Sequence, residues 1–236
     1  MLTDFHSHIL PGIDDGSRTV AESLEMLRME AAQGIRNVVA TPHFYPRQDS
    51  PETFLRRRAE AWEKLEAAMA DVPGLPEIHM GAEVYYFPGI SDCDALSQLT
   101  IGENRCILLE MPYTVWNDSM YREIEGIAEK QGLTPVIAHV DRYIRPFRTH
   151  GVPERLMELP VLVQANASFF RNTGTRRMAL RMLHRGQIHV LGSDCHDRKL
   201  RAPDLAEAVW IIREKLGPEA LEWIRAYERD IICDLI

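Results

Sequence analysis

Residues 4–44, DFHSHILPGIDDGSRTVAESLEMLRMEAAQGIRNVVATPHF, contain most of one β-loop-α-β unit. Residues 2–5 (LTDF) and 36–41 (RNVVAT) are short and apolar, which is typical of buried strands. Between them, a capping box that begins at Thr19 predicts the start of an amphipathic helix. Gly34 follows the last apolar turn and is expected to end that helix. The segment therefore predicts two strands that are joined by a helix and run in parallel.

The same alternation continues along the chain. The predicted strands are 2–5, 36–41, 78–84, 105–110, 134–139, 161–167 and 188–193. The predicted helices cover about 19–33, 51–71, 119–131, 175–185 and 203–216, with a last helix from Pro218. This pattern predicts an α/β fold with a parallel sheet, either an open doubly wound sheet or a closed barrel. The first strand is not followed by GxGxxG, and the chain has no P-loop, which weakens the case for a doubly wound nucleotide-binding fold.

Length and charge limit the possible functions. The chain has 236 residues, which suits one domain of barrel size or two small ones. Its formal net charge of -8 argues against a nucleic-acid partner but allows a small phosphorylated substrate. The apolar runs are too short to span a bilayer, and the N-terminus resembles no secretory signal. The four cysteines form no CxxC pair and indicate no disulfide framework. We therefore expect a cytoplasmic protein without membrane insertion.

Histidines and carboxylates recur at or just past the carboxyl ends of the predicted strands. In a parallel barrel these ends meet on one face, so side chains that are far apart in sequence converge there. His6 and His8 leave the first strand, and their spacing directs both imidazoles to the same side. Asp14 and Asp15 lie in the next loop, where Asp-Asp-Gly alone is more typical of a turn. The candidates on the other strands are His43, Glu83, Glu110, His139, Asp194 and His196.

A mixture of imidazole and carboxylate groups is typical of sites for Mn, Fe or Zn, and it does not distinguish these metals. The candidate groups outnumber the ligands of a single ion, so we expect two or three ions. Ions roughly 3.5–4 Å apart lower the pKa of a bridging water and hold phosphoryl oxygens for in-line attack. The sequence therefore predicts phosphoester hydrolysis, with a metal-bridged hydroxide attacking phosphorus.

Two arginines are candidates for binding the phosphate. The planar guanidinium group binds two phosphate oxygens at once, which adds the positive charge that this reaction needs. Arg142 closely follows His139, and Arg201 closely follows His196, so both fall in loops on the predicted metal-binding face. The weaker candidates are Arg145, Arg148 and Arg198.

Together these residues resemble the PHP (polymerase and histidinol phosphatase) superfamily of metal-dependent phosphoesterases. Residues 4–44 are more closely similar to the bacterial manganese-dependent protein-tyrosine phosphatases of capsule and exopolysaccharide operons, the CpsB/YwqE group. The motifs GAEVYY, LLEMP, PVIAHVDRY and GSDCHD...RAPDL continue the resemblance in order, over nearly the whole chain. One departure is Ala202-Pro203, where the family more often has Pro-Pro. This change leaves the metal-binding motifs intact and affects only substrate recognition slightly.

The resemblance implies a single PHP-type metallophosphatase domain over residues 1–236, folded as a distorted (β/α)7 TIM-like barrel. It implies a trinuclear centre that is usually manganese. It also implies a phosphotyrosine substrate on an autophosphorylating bacterial tyrosine kinase that controls polysaccharide assembly. The implied catalytic residues are Arg142, Arg201 and Asp14, with the two arginines binding the phosphate. The implied metal ligands are His6, His8, Asp14, His43, Glu83, Glu110, His139, Asp194 and His196.

Two other functions remain open on the same scaffold. One is a phosphatase for a small metabolite such as histidinol phosphate. A lidded pocket would favour this function, whereas an open, shallow site would favour a phosphotyrosine peptide. The other is a non-catalytic, metal-binding partner of a membrane kinase complex. The complete ligand set and the two arginines argue against that second alternative.

Cys195 and Arg201 match the bare C-x5-R spacing of cysteine-dependent tyrosine phosphatases. Those enzymes need a thiolate cradled by free backbone N–H groups, in a nest that favours glycine and small residues. The loop here is charged and contains no glycine. We therefore expect the Cys195 thiol to point away from the metals and to take no part in catalysis.

Overall fold

The computed structural model describes residues 2–102, 105–144 and 151–232. The weaker candidates Arg145 and Arg148 lie outside these residues. The strands are β1 (Leu2–Ser7), β2 (Ile35–Ala40), β3 (His43–Phe44), β4 (Glu77–Met80), β5 (Glu83–Tyr85), β6 (Cys106–Glu110), β7 (Thr134–Ile137), β8 (Leu162–Asn166) and β9 (Val190–Gly192). The helices are α1 (Val20–Ala32), α2 (Pro51–Met69), α3 (Asp118–Gln131), α4 (Val152–Leu156), α5 (Ala167–Arg171), α6 (Arg176–His184), α7 (Leu205–Leu216) and α8 (Pro218–Ile232).

The strands form two parallel sheets, with the orders β1-β2-β4 and β3-β5-β6-β7-β8-β9. The sheets meet where β1 approaches β9. There the His8 N–H donates to the Cys195 carbonyl at 2.9 Å, and the Asp194 N–H donates to the His6 carbonyl at 2.7 Å. Together the strands make a curled, parallel half-barrel. The prediction of an α/β fold with parallel strands is confirmed, but the strand pairing does not by itself form one closed, seven-stranded barrel.

The predicted strand 78–84 is divided between the two sheets. β4 pairs with β2, whereas β5 pairs with β3 and β6. The chain steps from one sheet to the other at Gly81, whose N–H donates to the Ala40 carbonyl at 2.9 Å. The chain crosses between the sheets in the same way from β2 to β3. His43 is the first residue of β3, Glu83 is the first residue of β5, and the two are paired in register. The division of the sheet therefore places two candidate ligands side by side.

Helix α1 begins with the side-chain cap that the sequence predicts, and α3 begins with a cap on Asn117. Thr19 Oγ1 accepts from the Glu22 N–H at 3.2 Å at the start of α1. Asn117 Oδ1 accepts from the Met120 N–H at 3.1 Å at the start of α3. These caps pair backbone donors that the first helical turn leaves free. They fix the positions at which the loops carrying the candidate ligands join the helices.

Buried apolar residues form two clusters. The larger one packs the helices against the strands and includes Met26, Leu65, Ile124 and Ile212. The smaller one contains residues from β1, β2, β6, β7, β8 and β9, including Phe5, and therefore fills the inside of the curl. Burial of this kind contributes roughly 25 cal/mol per Å² of apolar surface. Among the described residues, no helix is both long and apolar enough to cross a membrane.

Candidate metal centre

The carboxyl ends of the strands bring all the predicted ligands except Asp14 into overlapping groups of metal-capable atoms. Within each group, one candidate atom per residue lies within 4.8 Å of the others. One group contains His6, Glu83 and His139, and another contains His6, His8 and Asp194. The remaining groups are His43, Glu83 and Glu110, and His8, Asp15, His43 and His196. Because the groups share members, the arrangement suits several neighbouring ions better than one.

Glu83 is the carboxylate around which the imidazoles gather. Its Oε2 lies 3.2 Å from His6 Nε2, 3.3 Å from His8 Nε2 and 3.0 Å from His43 Nδ1. Its Oε1 lies 2.8 Å from His139 Nε2. Glu83 is 1% exposed, and His6, His8 and His139 have no exposed surface. One fully buried carboxylate therefore faces four imidazoles, an arrangement that suits a ligand shared between two ions.

Asp194 is a second carboxylate close to His6 and His8. Its Oδ1 lies 3.5 Å from His6 Nε2 and 3.6 Å from His8 Nε2. His196 Nδ1 lies 3.6 Å from the same oxygen. The two histidine Nε2 atoms are themselves only 3.1 Å apart. Ligand atoms of His6, His8 and Asp194 therefore lie close enough together to hold one ion.

The two aspartates of the first loop have different surroundings. Asp14 Oδ2 accepts from His8 Nδ1 at 2.8 Å and from the His43 N–H at 3.0 Å. Asp15 Oδ1 instead lies 3.5 Å from the Nε2 atoms of both His43 and His196. Asp14 is therefore placed behind His8, as carboxylates behind metal-binding histidines often are. Asp15, which the sequence analysis did not assign as a ligand, is the loop aspartate that faces the cluster.

The unsatisfied atoms at this site fit a group of metal ions. Glu83 Oε2, Glu110 Oε2 and His196 Nε2 are buried without a hydrogen-bond partner among the described residues. Buried polar atoms are usually hydrogen-bonded, because leaving one unpaired costs roughly 1–3 kcal/mol. Oxygen and imidazole donors of this kind suit Mn, Fe or Zn. The residues present therefore fit metal ions, and their chemistry does not select one metal.

Charge interactions within the cluster perturb its proton equilibria. Burial alone would lower the pKa of His8, but Asp14 and Glu83 raise it to about 10. Burial and the charge of Glu83 raise the pKa of Glu110 to about 7. Burial lowers the pKa of His139 to about 4. Such opposed shifts among adjacent groups are common at functional sites.

The backbone is strained where two of the candidates leave their strands. His139 has φ 32° and Asp194 has φ 55°, both in the left-handed region. Residues other than glycine occupy this region at a cost of order 1–3 kcal/mol, and such residues cluster at functional sites. Gly16 also has a required role, because a Cβ there would lie 2.3 Å from the His8 carbonyl oxygen. Local strain and close approach thus hold the loops around the cluster.

The two predicted phosphate-binding arginines both reach the cluster. Arg142 and Arg201 each donate to Asp194, with Arg201 Nη2 2.7 Å from Asp194 Oδ1. Arg142 Nη1 also donates to the Tyr113 hydroxyl at 2.8 Å. The weaker candidate Arg198 instead pairs with Glu25. The structure therefore brings the two principal arginines to Asp194, whereas Arg198 lines a cavity beside Asp15 and His196.

The Cys195 thiol lies beside β1, among buried acidic groups. Its Sγ is 4.0 Å from Glu30 Oε1 and forms a group with Glu30 and Asp4. We call this region, with Asp204, the acidic pocket. Burial and the nearby charges of Glu30 and Asp4 raise the pKa of the thiol well above its usual range. The expectation that Cys195 points away from the candidate metal centre agrees with this placement.

Sequence reasoning missed two amide side chains near the centre, Gln164 and Asn166. Both are buried on β8, and Asn166 Nδ2 donates to Asp194 Oδ2 at 3.0 Å. The signal was present as QAN within an otherwise apolar predicted strand. An amide in a buried strand needs partners, but the sequence does not show which ones.

The family model for capsular polysaccharide synthesis proteins of the CpsB/CapC type matches residues 2–232. The chain belongs to the CpsB/CapC family. It is 30% identical to the tyrosine-protein phosphatase CpsB of Streptococcus pneumoniae, over 99% of both chains. It is 29% identical to the tyrosine-protein phosphatase YwqE of Bacillus subtilis, over 92% of this chain and 86% of that one. These CpsB/CapC relatives are therefore tyrosine phosphatases of nearly the same length.

A solved structure supports the fold of this CpsB/CapC chain. It is a crystal structure of the metal-dependent tyrosine phosphatases YwqE from Bacillus subtilis and CpsB from Streptococcus pneumoniae. The similarity has a TM-score of 0.82 at 24% identity and covers 97% of this chain and 93% of that one. At this level of identity the comparison establishes the shared fold.

Proposed function

We propose that this chain is a metal-dependent protein-tyrosine phosphatase, a phosphoric monoester hydrolase that acts on phosphotyrosine. The observation that carries the proposal is the convergence of buried imidazoles and carboxylates around Glu83, with Arg142 and Arg201 beside them. The tyrosine phosphatase relatives over nearly the whole chain support the same reaction. The proposal includes a single PHP-type domain over residues 1–236, with the half-barrel as part of a distorted (β/α)7 barrel.

We assign the metal ligands as His6, His8, Asp14, His43, Glu83, Glu110, His139, Asp194 and His196. Asp15 is added because it faces His43 and His196, and Asp14 then acts mainly by orienting His8. Manganese is our choice of metal, with two or three ions, and Fe or Zn are alternatives. When bound, such ions supply hydroxide at neutral pH and neutralise the charge of the phosphoryl oxygens.

The chain's own residues would bind and orient the phosphate. Arg142 and Arg201 both donate to Asp194 from the rim of the cluster. A phosphate offers the same kind of paired oxygens, so it would draw these guanidinium groups onto itself. The Tyr113 hydroxyl restricts Arg142 through its 2.8 Å hydrogen bond. Asp14 accepts the Nδ1 proton of His8 and leaves its Nε2 directed toward the cluster.

The rim of the cluster favours a peptide over a small metabolite. Asp15 is 68% exposed at the side chain, although the histidines below it are buried. Asp15 lines two cavities, of about 270 and 230 Å³. One is lined by His43 and Tyr45, and the other by His196 and Lys199. This open arrangement suits a protruding phosphotyrosine with chain on both sides. We propose a bacterial tyrosine kinase of polysaccharide synthesis as the substrate protein.

The test compares a phosphotyrosine peptide with histidinol phosphate. Each substrate is offered to the protein as purified, after chelation, and after Mn²⁺ is returned. We expect a higher kcat/KM for the peptide, loss of activity on chelation and recovery with Mn²⁺. A higher kcat/KM for histidinol phosphate would instead support the metabolite phosphatase. Activity that survives chelation would contradict the proposed metal centre.

A further inference from the structure

We propose that Gln164 and Asn166 are positioning residues that connect His6 to Asp194 through one chain of hydrogen bonds with a fixed direction. This inference rests on the proposed function, because it concerns two of the metal ligands assigned there. Both amides lie on β8, with no exposed surface for Gln164 and 5% for Asn166. Buried amides in a strand are most often packed or paired with backbone. Here their partners are the side chains of two separate candidate ligands.

The orientation of the Gln164 amide follows from one backbone group. The His139 N–H lies 2.5 Å from the atom assigned as Gln164 Oε1. A backbone N–H can only donate, so the amide oxygen must face it. His6 Nδ1 lies 3.3 Å from the same oxygen. Because an oxygen of this kind only accepts, His6 must carry its proton on Nδ1.

The direction of the chain can be checked from its other end. Gln164 Nε2 then faces Asn166 Oδ1, at 2.9 Å. The Asn166 Nδ2 group in turn faces Asp194 Oδ2, at 3.0 Å. The Asp194 carboxylate already accepts hydrogen bonds from Arg142 and Arg201, and an ionised carboxylate only accepts. The His139 N–H at one end of the chain and the Asp194 carboxylate at the other end therefore require the same orientation of the two amide groups.

The consequence is a defined tautomer for His6. With its proton held on Nδ1, the Nε2 lone pair is directed at the cluster, where Glu83 Oε2 lies 3.2 Å and Asp194 Oδ1 3.5 Å away. A group that fixes the second nitrogen of a metal-binding histidine sets both the tautomer and the ring orientation. Gln164 does this for His6, and Asn166 extends the same restraint to Asp194.

Gly192 on β9 provides the space for this connection. A Cβ at this position would lie 2.5 Å from His6 Cβ and 2.8 Å from Gln164 Nε2. Real Cβ atoms do not approach other atoms so closely, so any larger residue would displace His6 or Gln164. Gly192 pairs directly with Asn166 in the sheet. The backbone of β9 thus packs directly against His6 and Gln164.

The test measures Mn²⁺ binding and the His6 tautomer, and not only activity. Gln164→Met keeps the shape of the side chain but removes the acceptor and the donor. Gln164→Glu keeps the acceptor for His6 and His139. Val163→Ala is the control, because it removes apolar volume from the same buried strand and leaves the hydrogen bonds of Gln164 and Asn166 in place. Titration calorimetry on the chelated, full-length protein gives the Mn²⁺ dissociation constants. Histidine ring ¹⁵N shifts of the zinc-loaded protein give the tautomer.

We expect Gln164→Met to raise at least one Mn²⁺ dissociation constant by about 10- to 100-fold, the range measured for similar supporting groups. Gln164→Glu should keep the ¹⁵N shifts of a His6 ring that is protonated on Nδ1. Val163→Ala should change neither the Mn²⁺ dissociation constants nor these shifts. A Gln164→Met isotherm equal to that of Val163→Ala would overturn the proposal.

If Gln164→Met does not fold, Asn166→Leu decides the question. It removes both hydrogen bonds of the Asn166 amide, to Gln164 and to Asp194, but keeps the contact between Gln164 and His6. Weaker Mn²⁺ binding is still expected, and a wild-type isotherm would refute the connection. Failure of the wild-type protein to hydrolyse phosphotyrosine would refute the proposed function alone, because the isotherms do not depend on that substrate.

Discussion

Two buried groups of carboxylates adjoin β1, and the surrounding charges differ between them. In the candidate metal centre, the carboxylates of Glu83 and Asp194 face imidazoles and guanidinium groups. In the acidic pocket, Asp4 accepts from the Ser193 N–H at 2.9 Å, with Glu30 and Cys195 nearby. Asp4 and His6 are only two residues apart on β1, so one short strand borders both regions.

The proton equilibria of the two regions differ accordingly. Burial raises the pKa of every buried carboxylate, but His6, together with other nearby cationic groups, lowers the pKa values of Glu83 and Asp194 below their usual range. For Glu30, the nearby carboxyl groups of Asp4 and Asp204 add to the effect of burial, and together they raise its pKa well above the usual value. A buried carboxylate that stays ionised binds a cation more readily than one that must first release its proton. A cluster of buried carboxylates therefore does not indicate a metal site by itself. Buried carboxylates that are in contact with histidines do.

The largest predicted difference between the regions concerns two isosteric substitutions. Glu83→Gln removes the charge that faces four imidazoles, and we expect kcat/KM on a phosphotyrosine peptide to fall by about a hundredfold to a thousandfold. This range corresponds to several kcal/mol of metal-derived stabilisation. Glu30→Gln in the acidic pocket is the matched control and should change kcat/KM little. Equal losses in both variants would remove the functional distinction between the regions.

The arginines should give the next largest effect. Arg142→Lys and Arg201→Lys keep the positive charge but lose the planar group that binds two oxygens. We expect each to lower kcat/KM by about 10- to 100-fold, as for the loss of one strong charged hydrogen bond. The comparison variant is Arg56→Lys, since Arg56 pairs with Glu60 on the exposed face of α2. If Arg56→Lys were the most damaging of the three, the assignment of the phosphate-binding arginines would be wrong.

The acidic pocket should affect the pH dependence of stability. Because the folded pKa of Glu30 lies above the unfolded value of 4.5, the unfolded chain ionises first as pH rises. The free energy of unfolding should therefore decrease from about pH 4.5 up to the folded pKa, with a slope of at most about 1.4 kcal/mol per pH unit from this carboxyl. Glu30→Gln should flatten this slope in denaturant titrations between pH 5 and about 8. Parallel curves for the two proteins would show that Glu30 ionises normally.

Cys195→Ser should have the smallest effect. The thiol is fully buried, and its pKa is raised by burial and by the Glu30 and Asp4 charges. A protonated, inaccessible thiol is not a nucleophile, so phosphotyrosine hydrolysis should stay within about twofold of wild type. Loss of activity in a folded Cys195→Ser protein would instead support cysteine-dependent catalysis.

The contrast also shows what the sequence could predict. The β–α alternation predicted parallel strands, and the positions of His6, His43 and His139 at strand ends predicted their convergence. These inferences rest on local periodicity and on a general property of parallel sheets. The division of strand 78–84 was not predictable, because it depends on which neighbour each half pairs with. The closed barrel that the resemblance implies stays a prediction for the same reason.

At the candidate site, the residues that sequence reasoning missed are those whose role depends on distant partners. Asp14 and Asp15 are adjacent in sequence, and only the fold shows that Asp14 contacts His8 while Asp15 faces His43. Gln164 and Asn166 resemble ordinary strand residues until His6 and Asp194 are placed beside them. The histidines and arginines could be assigned to the site from residue type, because few other roles explain so many of these residues at the ends of strands.

The most direct test of the account is the metal content of three proteins, the wild type, Glu83→Gln and Glu30→Gln. Each is chelated, reloaded with Mn²⁺, freed of excess metal and measured by inductively coupled plasma mass spectrometry. The account predicts two or three Mn²⁺ per wild-type chain, fewer in Glu83→Gln, and the wild-type number in Glu30→Gln. A metal content that falls in Glu30→Gln but is unchanged in Glu83→Gln would contradict it, because the ions would then lie in the acidic pocket.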